Sequence, residues 1–135
     1  MNEKMLPWLM PIQDNLQNIM GNDRTMLKSY LERGDIEIES LTYIRGRSIS
    51  NAFIIIDEAQ NLTAHEVKTI ITRVGENTKI VLTGDIEQID NIYTNETSNE
   101  LAYAVERFKN SELSGHITFK KGERSKIATL ASKIL

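Results

Sequence analysis

Asp57 and Glu58 stand side by side at the end of an apolar run in the stretch NAFIIIDEAQNLT, residues 51–63. Adjacent acids suit two tasks. A carboxylate oxygen is a hard ligand for Mg2+, a cation that keeps several of its waters. A second carboxylate just beyond the metal is placed to accept a proton from an attacking water. A related set follows another apolar run: VLTGD, residues 81–85, ends in Gly84 and Asp85, with Gln88 three positions later. Each pattern also occurs where a buried strand simply emerges into solvent, so the residues alone leave both readings open.

For these groups to share a site, the elements beneath them must bring them to one edge. Residues 52–57, AFIIID, form a continuous β-branched run, the pattern of a strand buried on both faces of a parallel sheet. Thr63 with Glu66 three positions on forms a capping box, and Val67, Ile70, Ile71 and Val74 keep helical spacing up to Gly75. The cycle then repeats. KIVLTG, residues 79–84, reads as a second buried strand, and Thr97 with Glu100 opens a helix striped by Leu101, Val105 and Phe108. HITFK, residues 116–120, reads as a third strand, and Ile127, Leu130, Ala131 and Ile134 stripe a last helix.

Ahead of this alternation, helical spacing runs from Pro7 to about Met20 and again from Asp23 to Arg33 before Gly34, followed by a short strand-like IEIES. Strands alternating with helices imply right-handed crossovers and an α/β fold whose parallel sheet is covered on both faces. In such folds ligands bind beyond the carboxyl ends of the strands, where Asp57, Glu58 and Asp85 emerge. A hydrophobic strand ending in Asp-Glu is the Walker B arrangement: the first acid holds Mg2+ on nucleotide phosphates and the second polarises water.

Composition narrows the setting. The chain has 135 residues, 40% of them apolar, which is enough for one core. No stretch reaches the roughly 18 apolar residues of a membrane span, and a cytoplasmic protein with no membrane partner is expected. There are no cysteines and two histidines, which excludes disulfides and thiolate zinc sites and fits a reducing compartment. A net charge of -3 leaves nucleic-acid binding to a local patch.

Taken in order, YIRGRS, IIIDEAQN, TRVG, VLTGDIEQID and LAYAVERFKNSELSGHITFKKGERS resemble the PhoH-like ATPases, P-loop proteins related to superfamily 1 helicases. The resemblance covers residues 4–135. It implies ATP and Mg2+ as cofactors, with Asp57 as the magnesium-associated acid and Glu58 as the catalytic glutamate. Gln60 closes the DEAQ-type motif, which it implies lies near the γ-phosphate. Gly84, Asp85 and Gln88 match G-D-x-x-Q, in which the glutamine senses the γ-phosphate and couples hydrolysis to movement. Arg124 matches an arginine after the final strand, either an arginine finger from the same or a neighbouring subunit of a ring, or a surface residue beside Lys120 and Lys121. Arg45 and Arg47 flank Gly46 and either meet RNA phosphates or pair with nearby acids.

One part of that pattern is missing. A P-loop requires G-x-x-x-x-G-K-[ST], whose backbone amides cradle the phosphates, and none of the seven glycines opens it. The expectation is therefore a partial domain over residues 1–135, a helical segment at 1–34 and a strand–helix core at 35–135, that begins after the P-loop. In this fold the P-loop strand lies between the strands matching 79–83 and 116–119. Its absence should leave a gap, close the two neighbours together, or admit a strand from another chain. The 135 residues alone should hydrolyse ATP hardly at all. A contrasting expectation is a complete but degenerate module that binds nucleic acid or assembles with a relative.

Overall fold

The computed structural model describes residues 6–44, 46–85 and 100–135, without the side chains of Leu6 and Trp8. It divides into two compact units, Met1–Arg47 and Ser48–Leu135.

The first unit holds α1 (Leu6–Ile19), α2 (Arg24–Arg33) and the short α3 (Leu41–Ile44). Leu9 of α1 and Leu27 of α2 are its buried apolar residues among those described. Helix α2 begins where Asp23 accepts a hydrogen bond from the Met26 amide at 2.9 Å, meeting one orphan donor of the first turn. It stops at Gly34, whose φ of 76° is left-handed and lets its N–H close back on the last turn. The strand expected in IEIES does not form. Residues 37–40 join no sheet, since a strand needs a neighbour's edge and the described residues of the first unit include no other strand.

In the second unit β1 (Phe53–Ile56) pairs in parallel with β2 (Lys79–Leu82), placing Phe53 beside Lys79 and Ile56 beside Leu82. Helix α4 (Ala64–Ile71) forms the crossover between them, which makes this an α/β arrangement. Thr63 caps α4 by accepting from the Glu66 amide at 3.3 Å, while its hydroxyl donates to the Glu66 carboxylate at 3.0 Å. The helix ends sooner than the sequence spacing indicates. Val74 leaves it to form a bridge with Ile49, and Gly75 serves close approach, since a Cβ there would run into Ser50 Oγ and lie 3.0 Å from the Ile49 carbonyl oxygen. Helix α5 (Glu100–Phe108) packs on α4 and on the turn that follows β1, burying Ala104 and half-burying Leu101 and Val105, whereas Phe108 is exposed.

Two expectations about the sheet are corrected. The β-branched run is buried on one face only: Ile56 is buried, but Phe53 is 64% and Ile55 63% exposed. Residues 116–120 form no strand, and Ile117 and Phe119 are 79% and 89% exposed. The described sheet therefore has two strands, and direct closure of 79–83 onto 116–119 is not what happens. Residues 116–120 pair with neither outer edge of that sheet, so their backbone gains nothing from a ladder and Ile117 and Phe119 stay in solvent. Helix α6 (Lys126–Ile134), capped by Ser125 onto the Ala128 amide at 3.2 Å, forms where expected, with Ile127, Leu130 and Ile134 exposed. Among the described residues no helix is long and apolar enough to cross a membrane.

Candidate functional site

The parallel register carries the two strand ends to one edge. Beyond the Ile56–Leu82 pair the ladder continues: the Thr83 amide donates to the Ile56 carbonyl at 2.9 Å, and the Ala59 amide donates to the Thr83 carbonyl at 2.8 Å. Asp57 therefore emerges beside Thr83. The Thr83 hydroxyl donates to Asp57 Oδ1 at 2.9 Å, and the Glu58 amide donates to the same oxygen at 3.0 Å. Two donors fix one oxygen of the carboxylate. Asp57 is exposed, and its Oδ2 accepts no hydrogen bond among the described residues. A carboxylate so oriented, with one oxygen turned to solvent, suits a water-rich Mg2+ held mainly by phosphates. Among the described residues no cluster of three or more acids or histidines could hold a metal unaided.

Glu58 occupies a left-handed backbone conformation, φ 55° and ψ 38°, which costs a non-glycine residue energy and must be held by its surroundings. The hold is visible on both sides: the amide on Asp57, and the next residue's amide on Thr83. The chain then makes a 3-10 turn, Ala59–Asn61, before the Thr63 cap. In that turn Gln60 is fully buried at 0% exposure. Its Nε2 donates to Glu58 Oε2 at 2.5 Å and its Oε1 accepts from the Asp85 amide at 3.1 Å. The turn after β2 comes very close: a Cβ on Gly84 would lie 2.5 Å from Gln60 Oε1 and 2.9 Å from Leu101 Cδ2. Only glycine fits there without displacement.

Asp57, Glu58, Gln60, Gly84 and Asp85 are thus brought together by direct contacts. Gln88 and Arg45 lie outside the described residues. Arg124 is exposed ahead of α6 and, among the described residues, pairs with no acid. Arg47 pairs with Glu39 at 3.1 Å and Glu37 at 3.7 Å, within the first unit. Thr83 and the strained Glu58 backbone were missed by sequence reasoning. The signal for Thr83 was the parallel register, which sets the residue after one strand beside the residue after the next.

A family model described as PhoH-like protein matches residues 1–134. The chain belongs to the PhoH-like family. This PhoH-like chain is 56% identical over 135 residues to Protein PhoH2 of Bacillus subtilis, covering 98% of itself and 30% of that protein. It is 39% identical over 134 residues to Protein PhoH2 of Thermobispora bispora, covering 99% of itself and again 30% of the relative. A PhoH-like protein of Bacillus subtilis matches 90 residues, 67% of the chain and 28% of that relative, at 44% identity. The chain thus spans about a third of the length of the curated relatives it matches. Two parallel strands flanked by helices fit part of a RecA-like core of the P-loop class.

Proposed function

We infer that these residues form the Walker B half of an ATP-hydrolysing site, completed by a phosphate-cradling loop from outside them. The observation that carries the reading is the convergence at one sheet edge of Asp57, anchored through Oδ1 by Thr83, and Glu58, anchored through Oε2 by Gln60.

Each acid has one oxygen fixed and one left for chemistry. Asp57 Oδ2 faces outward as a ligand for Mg2+ or its waters. The chemistry Mg2+ supplies when bound is neutralisation of charge on the β- and γ-phosphates. Glu58 Oε1 is the atom left to orient the attacking water and receive its proton, because Oε2 already accepts from Gln60. The setting in this reading is the cytoplasm. Arg124 supplies charge to the transferring phosphoryl group, from the same copy or a neighbouring one in a ring.

RNA is the polymer on which hydrolysis acts in this reading, with Arg45 and Arg47 as contacts. The Arg47 pairs do not oppose this, since exposed ion pairs are worth only about 0–1 kcal/mol each and phosphate displaces them readily. RNA affinity should fall steeply as salt rises, measured by fluorescence anisotropy. Absent or salt-insensitive binding contradicts the RNA assignment.

Hydrolysis is tested in an extended chain in which a G-x-x-x-x-G-K-[ST] strand–loop–helix unit precedes residue 1. Glu58→Gln should lower phosphate release by about 10²–10⁴-fold, the range of general-base catalysis, while ATP binding persists. Turnover indifferent to Glu58→Gln contradicts the assignment.

A further inference from the structure

We propose that Gln60 is a positioning residue, a buried amide clamp through which the Gly84–Asp85 turn sets the direction of the Glu58 carboxylate. The proposal rests on the hydrolytic reading of Glu58 and deepens it: beyond fixing one oxygen of Glu58, Gln60 transmits the position of the Gly84–Asp85 turn to that carboxylate.

The geometry differs from that of a residue reaching for phosphate. Gln60 is 0% exposed, and both ends of its amide bond to protein. The orientation of the amide follows from its partners. Asp85 presents an N–H, which requires the oxygen, and Glu58 presents a carboxylate, which requires the NH2; a flipped amide would set donor against donor and acceptor against acceptor. The amide is planar and rigid, so its oxygen and nitrogen move as one body. A displacement of the Asp85 amide therefore reorients the group that holds Glu58 Oε2. Both bonds are part-buried: the Gln60 end is shielded from competing water, while Glu58 is exposed and Asp85 half-buried.

The surroundings keep the clamp under the control of the β2 turn. Gly84 lies where any side chain would strike Gln60 Oε1, and Leu101 of α5 closes the other side. Ala59, adjacent to Gln60, is fully buried, so the turn has little room to shift independently. Glu58 itself has a left-handed backbone anchored to Asp57 and Thr83, which leaves its side-chain torsions as the adjustable part. The clamp acts on those torsions.

The test has one arm without nucleotide and one with it. In the 135-residue chain, NMR should show the Gln60 NH2 and the Asp85 amide slow to exchange with solvent. Gln60→Met should speed Asp85 exchange about tenfold or more. Gln60→Glu keeps an acceptor for the Asp85 amide and should leave it protected, the NH2 toward Glu58 being replaced by a proton shared between the two carboxyls. The swap Glu58→Gln with Gln60→Glu should restore a bonded NH2 between the two positions. Wild-type exchange at Asp85 in Gln60→Met, or rapidly exchanging Gln60 NH2 protons in the wild type, overturns the clamp. In the extended chain, Gln60→Met should lower kcat by about 10²-fold, as a misplaced catalytic group does, with KM for ATP unchanged. A Gln60→Met variant with a lower melting temperature but unchanged kcat shows a merely structural glutamine and overturns the proposal. If the wild-type extended chain does not hydrolyse ATP, the catalytic reading of Glu58 fails, and the exchange arm still decides whether the clamp exists.

Discussion

Thr83 holds Asp57, the acid proposed to meet Mg2+, through a single hydroxyl, so its removal separates orientation from charge. Thr83→Val keeps the shape and loses the donor to Asp57 Oδ1. It should raise the Mg2+ concentration needed for half-maximal hydrolysis by about 10–100-fold, the usual effect of losing a residue that orients a metal ligand. A Mg2+ titration of phosphate release checks this, and an unchanged midpoint counts against Asp57 as the ligand. Asp57 and Glu58 were legible in the sequence because a buried strand delivers its next residues to a rim. The clamp of Gln60 was not, because its partners Glu58 and Asp85 lie on two different strand ends, and only the folded register makes them neighbours.

At the scale of elements, local chemistry marked the helices well. Asp23, Gly34 and Thr63 each end or begin a helix through bonds to nearby backbone, so sequence spacing suffices to find them, whereas the last helix was legible from its apolar stripe and not from its Ser125 cap. Thr63→Ala should cost about 1 kcal/mol by chemical denaturation, the usual cost of a lost N-cap. No loss of stability would mean that the Glu66 contact does not support α4. Gly84→Ala should cost about 1–3 kcal/mol through overpacking against Gln60 and Leu101. A neutral effect would mean the turn after β2 yields more easily than its contacts indicate. Strands were less legible. IEIES and HITFK carry strand-like residues, yet a strand exists only when a second backbone completes its hydrogen bonds, and that condition is not written in the segment itself.

Across the second unit, apolar side chains remain in solvent at Phe53 and Ile55 on the sheet, at Ile117 and Phe119, and along α6. Parallel sheets are ordinarily covered on both faces, so this exposure accords with a core completed by polypeptide beyond these residues. In the extended chain, the amides of residues 116–120 should become protected from exchange, and unchanged exchange there would argue that no strand joins that segment. The most direct measurement is ATP hydrolysis by three proteins under identical Mg2+: the 135-residue chain, the extended chain, and the extended chain carrying Glu58→Gln. Background release is expected from the first, turnover from the second, and loss of about 10²–10⁴-fold in the third. Robust turnover by the 135 residues alone, abolished by Glu58→Gln, would overturn the assignment of a divided site.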